Sequence, residues 1–248
     1  MPDNPDSTAG TGTKPPRAPW DDFPEVLIHA SESRVKQHPA YRAAKSGDDL
    51  AALVLVGDTI DTDKVRDLGQ LLAGRTPVLV SAHAFEQAGV NAIPETLADE
   101  LGRRLGWAVD ANVVQSNIVS HTGADGFSRL ARQAAFDGPV QSGAEYVLVD
   151  DFVGMGGTLA NLRGYLLAGG GKVVAAVVLT GKPYSARLAL TGETLDQLRS
   201  SHGADLENWW QERFAHAFDA LTESEARYLA RTPDVDTIRD RIAAAEQA

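Results

Sequence analysis

The sequence predicts an α/β fold, an open and mainly parallel twisted sheet with helices on both faces. Strand-like and helix-like segments alternate in the order β-α-β-β-α-β between Thr76 and Thr180, which is typical of such sheets. Within this stretch, residues 146–149 form a continuous apolar run, as in strands buried on both faces of a parallel sheet. Helical additions are expected at both ends of this core.

The composition restricts the classes of function. The 248 residues carry a formal net charge of −11 and no cysteine, which excludes disulfides, thiolate metal sites and thiol nucleophiles. The acidic balance argues against binding to nucleic-acid phosphates. No apolar run reaches the roughly 18–20 residues that span a bilayer, and the N-terminus lacks a signal-peptide pattern. We expect a cytoplasmic protein with neither a membrane nor a nucleic-acid partner.

Composition also divides the chain into four segments of a single globular domain. Residues 1–20 are rich in Pro, Gly, Ser and Thr and predict a disordered tail, because they bury too little apolar surface to offset the entropy of ordering. Residues 21–75 predict an N-terminal helical segment, or hood. Residues 76–182 predict the α/β core, and residues 183–248 predict a C-terminal helical extension.

The elements follow from local patterns of apolar residues, glycine and proline. In the hood, a short apolar run predicts a strand, and helices follow it, with Gly74 after the last. Pro94 and Gly106 mark the ends of a core helix, and Thr222 with Glu225 predicts a capping box. The predicted strands are 25–30, 77–83, 107–114, 146–149 and 172–180. The predicted helices are 39–45, 48–56, 62–73, 94–105, 127–136 and 158–168.

Residues 150–158 carry the most informative pattern. The buried strand delivers Asp150 and Asp151 to its C-terminal end, where open α/β sheets bind ligands. A glycine-rich turn, residues 154–157, then opens a helix at Thr158. Backbone N–H groups in such a turn, together with the helix N-terminus, can hold a phosphate. Two acids directly before the turn suit hydroxyl groups of the same ligand, so the ligand resembles a ribose 5-phosphate.

Other phosphate loops fit less well. A P-loop needs a lysine at the start of its helix, and a dinucleotide-binding loop needs Gly-x-Gly-x-x-Gly with an acid about 20 residues later. Neither pattern is present. A generic β-turn-α connection would explain the glycines. It would not explain an acid pair followed by Gly-Gly-Thr after four apolar residues.

The segment 146–158 resembles the phosphoribosyl-pyrophosphate (PRPP) signature of type I phosphoribosyltransferases: a hydrophobic strand, two acids, two apolar residues, a short loop and Gly-Gly-Thr. The order of elements over residues 76–182 agrees with that family's layout. The resemblance implies a type I phosphoribosyltransferase-like fold. It also implies Mg²⁺-dependent transfer of 5-phosphoribosyl from PRPP to a nitrogen acceptor, with release of pyrophosphate.

The resemblance implies roles for the residues of the signature. Asp150 and Asp151 would hold the ribose hydroxyls, offset developing positive charge, and meet Mg²⁺ indirectly, through those hydroxyls or water. The residues expected to bind the 5-phosphate are Val153, Gly154, Met155, Gly156, Gly157 and Thr158.

Further roles fall outside the signature. Ala82 and His83, in the loop after the first core strand, would hold pyrophosphate. Residues 116–139 fill the place of a mobile lid that closes over the reaction. In this lid, Arg129 and Arg132 are the candidate catalytic cations, and His121 and Thr122 accompany them. Lys182, after the last core strand, is the candidate contact for the acceptor.

Two departures from the family pattern narrow the prediction. Met155 stands where the family often has Thr or Ser, so one hydroxyl donor to the 5-phosphate is missing. Gly154 stands where hypoxanthine- and guanine-specific members have an aspartate that serves the purine N7. The acceptor is therefore expected to be neither hypoxanthine nor guanine.

Two other functions are compatible with the same site. One is a regulatory protein that senses PRPP or a nucleotide without turnover, and the other is a phosphoribosyl hydrolase or toxin-like modifier. Fold alone does not choose among them. The expected partners are PRPP and a small-molecule acceptor, and a homodimer is compatible with the sequence.

Overall fold

The computed structural model describes residues 15–82, 85–86, 89–117 and 125–247, and strands and helices alternate along these ranges. The strands are β1 (Leu27–Ala30), β2 (Val78–Ser81), β3 (Phe85–Glu86), β4 (Gly89–Val90), β5 (Val109–Asp110), β6 (Val114–Gln115), β7 (Phe136–Asp137), β8 (Glu145–Val153) and β9 (Lys172–Gly181). The helices are α1 (Glu32–Lys36), α2 (Tyr41–Lys45), α3 (Asp49–Thr59), α4 (Thr62–Leu71), α5 (Ile93–Leu105), α6 (Gly126–Ala131), α7 (Gly157–Ala168), α8 (Gly192–Phe214), α9 (Glu223–Ala230) and α10 (Val235–Gln247).

The central sheet has the order β1-β9-β8-β2-β5 within the described residues, and every neighbouring pair in it is parallel. In the register, Val147 lies beside Leu79 on β2, and Val149 lies beside Val177 on β9. The predicted open parallel sheet is confirmed. β1 belongs to the predicted hood, yet it pairs with β9 as an edge strand, so the hood contributes to the core sheet. The pairs β3–β4 and β6–β7 are short antiparallel ladders.

Helices cover both faces of the sheet, as predicted. Alternate residues of β8 enter different hydrophobic clusters: Val147 and Val149 pack with α3, α4 and α5, whereas Tyr146 and Leu148 pack with α7. Side chains alternate across a strand, so a strand that is apolar at successive positions has to be covered on both sides. The C-terminal ends of β2 and β8 consequently emerge at one edge of a rigid layer.

The C-terminal extension forms a third hydrophobic cluster with its own buried aromatic centre. Trp210 and Phe214 of α8 are fully buried there, together with Leu229 of α9. Phe127 and Leu130 of α6 belong to the same cluster. The helix predicted over 127–136 ends earlier, at Ala131, and the chain continues into β7. The described part of the predicted lid is thus anchored on the C-terminal helices.

Residues 15–20, here called the N-terminal strap, cross α7 and reach the C-terminal helices. Trp20 Nε1 donates to the carbonyl oxygen of Leu221 over 2.7 Å, and the guanidinium carbon of Arg163 lies 4.5 Å from the centre of a Trp20 ring. The prediction of a disordered tail is wrong for these residues, because the Trp20 ring and its N–H find partners on the folded core. Residues 1–14 lie outside the described residues.

Candidate functional site

A cleft of about 270 Å³ lies at the C-terminal end of β8, the edge at which open α/β sheets bind ligands. The hood, the N-terminal strap, the turn before α7, the segment that follows α6 and the start of α9 all contribute to its walls. The predicted site residues that line it are Ala82, Arg129, Arg132, Asp150, Asp151, Gly154, Met155, Gly156, Gly157 and Thr158. Most of the residues singled out from the sequence therefore meet in one place.

The two adjacent acids of the cleft have different surroundings. Asp150 is only 7 % exposed, and the backbone N–H of Asp151 donates to its Oδ1 over 2.7 Å. Burial, and then the neighbouring Asp151 carboxylate, raise the pKa of Asp150 well above its usual value. Asp151 Oδ2 lies 3.0 Å from Lys45 Nζ. A cation thus balances one acid, while the environment of the other favours its protonated form.

The glycine turn gives the cleft an uncapped helix N-terminus. Gly156 has φ 84° and ψ 2°, and a Cβ there would overlap with Leu188, so both the backbone and the packing require glycine. In the described residues, no side chain caps α7. The first N–H groups of a helix have no partner inside it and carry the positive end of its dipole. The start of α7 can therefore bind an anionic group.

The start of α9 fixes the turn from behind. Thr222 is the N-cap of α9, and its hydroxyl donates to the carbonyl oxygen of Met155 over 2.5 Å. The Met155 side chain packs against the C-terminal helical cluster. Met155 thus contributes to the site by holding the turn against α8–α10, which explains an apolar side chain where a hydroxyl donor was expected.

A buried ion pair lies beside the start of α7. Arg17 of the N-terminal strap donates through Nη1 and Nη2 to Glu225 over 2.6 and 3.0 Å, and through Nε to Asn161 over 2.6 Å. The side chains of Arg17 and Glu225 are each only 2 % exposed. Asn161 in turn donates to the carbonyl oxygen of Ala134 over 2.9 Å. This network links the strap, α7, α9 and the segment after α6.

Sequence reasoning did not identify this pair as part of the site. Arg17 lies in a segment rich in proline and glycine, and Glu225 is 208 positions further along the chain. The sequence around Glu225 predicted only a capping box at the start of α9. No local pattern connects them. Lys45 was missed for the same reason, since it pairs with Asp151 only through the packing of α2 against the sheet.

The wall formed by the predicted lid contains unsatisfied polar atoms. Within the described ranges, Arg132 Nε and Gln133 Oε1 are buried and have no hydrogen-bond partner, and both side chains line the cleft. Arg129 Nη1 lies 3.0 Å from the point where a Cβ on Gly154 would stand. An unpaired buried polar atom costs about 1–3 kcal/mol, so these two atoms destabilise the wall of the cleft.

The cleft is locally cationic in a protein of net charge −11. Lys36 of α1 also reaches it, with its Nζ 4.7 Å from the ring centre of Phe152. The cations that line the cleft in the described residues are Arg17, Lys36, Lys45, Arg129 and Arg132. The carboxylates that line it there are Asp150, Asp151 and Glu225. This excess of positive charge suits a polyanionic small molecule.

Some predicted residues are placed elsewhere. Lys182 does not line the cleft, and its Nζ donates to Glu32 of α1. The side chain of Val153 is buried in the cluster between the sheet and α7, because this position still belongs to β8. His83, His121 and Thr122 lie outside the described residues.

Two other classes of site are absent from residues 15–82, 85–86, 89–117 and 125–247. No helix in these ranges has both the length and the apolarity needed to cross a bilayer. No group of three or more His, Asp or Glu side chains in them is placed to hold a metal ion.

Comparison with known proteins gives two relatives by sequence. The chain is 43 % identical over 229 residues to "Protein TraN" of Escherichia coli, covering 92 % of this chain and 51 % of that protein. It is 39 % identical over 152 residues to an uncharacterized protein of Haemophilus influenzae, covering 61 % of this chain and 34 % of that one. The chain thus spans about half the length of the first relative and about a third of the second. No protein-family model matches it.

Comparison of structures returns phosphoribosyltransferases at low similarity. An adenine phosphoribosyltransferase matches with a TM-score of 0.36 at 11 % identity, covering 61 % of this chain and 75 % of that one. The adenine phosphoribosyltransferase of Leishmania tarentolae matches with 0.35 at 14 % identity, covering 84 % and 98 %. The UMP synthase of Leishmania donovani matches with 0.32 at 17 % identity, covering 70 % and 36 %. Scores this low carry no weight for function.

Proposed function

We propose that this protein is a PRPP-binding phosphoribosyltransferase, which transfers the 5-phosphoribosyl group to a nitrogen acceptor and releases pyrophosphate. One observation carries the proposal. Asp150 and Asp151 stand at the C-terminal end of a buried parallel strand, directly before a glycine turn that opens the uncapped helix α7, and all of these line one cleft. This arrangement suits a ligand that bears hydroxyl groups close to a phosphate.

In the proposed complex, the 5-phosphate lies at residues 154–158 and the ribose hydroxyls meet the acid pair. Asp151 accepts hydrogen bonds from these hydroxyls, and Asp150 either accepts or, while protonated, donates. The pyrophosphate lies between Ala82 on one side and Arg129 and Arg132 on the other. Arg132 Nε, which is buried without a partner among the described residues, then donates to a pyrophosphate oxygen.

The reaction replaces one bond at C1 of the ribose by another. The bond from C1 to the pyrophosphate oxygen breaks, the acceptor nitrogen forms a bond to C1, and the pyrophosphate leaves with the electron pair. Positive charge develops on the ribose as the first bond lengthens, and the Asp151 carboxylate offsets it. Arg129 and Arg132 stabilise the negative charge on the leaving group. Water has to be excluded because it would compete as the nucleophile.

The side chains of the cleft fit a Mg²⁺ ion that arrives with PRPP. Mg²⁺ is usually held by one or two carboxylates together with substrate phosphates and water. Asp150 and Asp151 are two adjacent carboxyl groups in a cleft that otherwise attracts phosphates. These two residues would hold the ion indirectly, through the ribose hydroxyls or water, and the ion would help to neutralise the pyrophosphate.

The acceptor is proposed to be neither hypoxanthine nor guanine. Gly154 offers no carboxylate to exchange a proton with the purine N7, and Arg129 Nη1 lies 3.0 Å from the place of its missing Cβ, so a cation is close to that position. Loss of a general acid or base typically costs about 10²–10⁴ in rate. Acceptors that need no N7 proton, such as a pyrimidine or an amine, are favoured.

The test is pyrophosphate release from PRPP and Mg²⁺ with a panel of nitrogen acceptors. Pyrophosphate release that depends on an acceptor, with separation of the nucleotide formed, is the expected result. Release of ribose 5-phosphate without an acceptor would support the hydrolase, and tight PRPP binding without turnover would support the sensor. No binding of PRPP at all would overturn the proposal. Efficient IMP or GMP synthesis would contradict the exclusion of hypoxanthine and guanine.

A further inference from the structure

The ion pair between Arg17 and Glu225 lies where a ligand phosphate would bind. A Cβ on Gly157, the first residue of α7, would stand 2.7 Å from Glu225 Oε1 and 3.3 Å from Arg17 Nη2. Both side chains line the cleft. A buried carboxylate at the positive end of a helix would compete with a phosphate for that position. The guanidinium group that holds this carboxylate therefore influences whether an anion can bind there.

The geometry of Arg17 leaves part of its hydrogen-bonding capacity unused by the described residues. A guanidinium group has five N–H donors, and the bonds to Glu225 and Asn161 account for three of them. The two remaining donors belong to Nη1 and Nη2, and Nη2 lies beside the start of α7. Arginine binds phosphates well because several of its donors lie in one plane.

The surrounding contacts fix the position of this guanidinium group. Trp20 anchors the strap three residues further along the chain through its bond to Leu221. The carbonyl of Pro16 packs so tightly on α7 that a Cβ on Gly164 would overlap with it. Because the residues on both sides of Arg17 are held in place, its side chain loses little further entropy when it binds a ligand.

We propose that Arg17 binds the phosphate group held by residues 154–158, and that Glu225 limits how much of its positive charge the ligand experiences. The N-terminal strap is then part of the ligand site, and the residues that bind the 5-phosphate come from two distant parts of the chain. This inference rests on the proposed function, because it assumes a phosphate ester at the start of α7. It predicts that neutralising Glu225 tightens phosphate binding.

The experiment measures the affinity for ribose 5-phosphate by calorimetry at fixed salt. The proteins are the wild type, Glu225→Gln and the double variant Arg17→Gln/Glu225→Gln. Glu225→Gln should bind ribose 5-phosphate about 3- to 10-fold more tightly than the wild type, because the guanidinium group no longer shares its charge with a carboxylate. The double variant should bind it about 10- to 100-fold more weakly than Glu225→Gln, because it lacks charge-assisted donors.

The controls separate a binding role from a structural one. The double variant removes both buried charges together, and its urea midpoint shows whether it is folded. A folded double variant that binds ribose 5-phosphate as tightly as Glu225→Gln would overturn the role of Arg17 and leave the proposed function intact. Glu225→Gln that is folded and binds no more tightly than the wild type would overturn the role of Glu225. A wild-type protein that binds neither ribose 5-phosphate nor PRPP would overturn both this inference and the proposed function.

Discussion

Lys45 Nζ lies 3.0 Å from Asp151 Oδ2 and joins helix α2 of the hood to the end of β8. The contact is largely shielded from water, since the two side chains are 23 % and 12 % exposed. Two adjacent carboxylates would repel each other in such a place. The lysine balances one of them, and the raised pKa of Asp150 lowers the charge of the other. The acid pair can therefore be held in the cleft before a ligand arrives.

Asp150→Asn should show how this buried acid affects stability and, separately, how it affects ligand binding. Its raised pKa means that the folded protein keeps a proton that the unfolded chain releases above its ordinary pKa, so wild-type stability falls as the pH rises from that value through the folded pKa. The variant should lose this component of the pH dependence. It should also bind PRPP at least about 10-fold more weakly, because the carboxyl group that meets the ribose hydroxyls is replaced by an amide.

Urea unfolding from pH 4 to 8 and PRPP titration check both parts. Asp99→Asn on the exposed side of α5 is the matched control, and it should change neither quantity. Wild-type affinity in Asp150→Asn would exclude this acid from the ligand site.

Gly156→Ala should damage the phosphate turn and lower stability. The backbone is left-handed there, with φ 84°, and the new Cβ would overlap with Leu188. Left-handed conformations cost non-glycine residues about 1–2 kcal/mol, and displacement of Leu188 adds to this cost. Thermal unfolding and ribose 5-phosphate binding should both be impaired.

Gly57→Ala is the control, and it should raise stability where Gly156→Ala lowers it. Gly57 lies within α3, and nothing stands within 4 Å of the position of its missing Cβ. Alanine should stabilise the helix by roughly 0.5–1 kcal/mol. A Gly156→Ala variant as stable as this control would show that the turn adopts another conformation in solution.

Truncation should distinguish the N-terminal strap from the residues before it. A chain that starts at residue 21 loses the partner of Glu225, and removal of one partner of a buried ion pair costs about 3–5 kcal/mol. A chain that starts at residue 15 keeps Arg17 and Trp20 and should unfold like the full-length protein. Differential scanning calorimetry of the two truncations checks this. Equal melting temperatures would mean that the strap contributes no stability.

Mild acid should destabilise the protein through two buried histidines. Burial lowers the pKa of His29 and of His216 from 6.5 to about 4 in the folded state. The unfolded chain therefore binds more protons between these values, and stability is complete above pH 6.5 and lost as the pH falls toward 4. At about 1.4 kcal/mol per pKa unit, each histidine contributes up to about 3 kcal/mol.

The measurement is the free energy of unfolding in urea between pH 7 and 4.5. His29→Gln should make this dependence less steep by the share of one histidine. An equal loss in wild type and His29→Gln would assign the acid sensitivity to other groups.

Sequence patterns predicted the site residues that are close to one another along the chain. Asp150, Asp151 and the turn before α7 all lie within residues 150–157, so a buried strand followed by glycines predicted both their place and their proximity. Arg17 and Lys45 reach the cleft only through tertiary packing, and their local sequence contains no sign of it. The strap was predicted to be disordered because composition measures average apolarity, whereas a single Trp20 and a single Arg17 with buried partners suffice to order it.

Helix α6 shares its hydrophobic cluster with the C-terminal helices, so a change in the packing of one region is expected to affect the other. Phe127 and Leu130 are buried against α9 and α10, while the same segment presents Arg129 to the cleft. A ligand that fixes the arginine also favours the packed arrangement of the helices behind it. Amide hydrogens around Leu229 should consequently exchange more slowly when PRPP is bound, although they belong to no part of the cleft. Substitutions in the hydrophobic cluster of α6, α9 and α10 should alter the affinity for PRPP, because they change how often these helices adopt their packed arrangement.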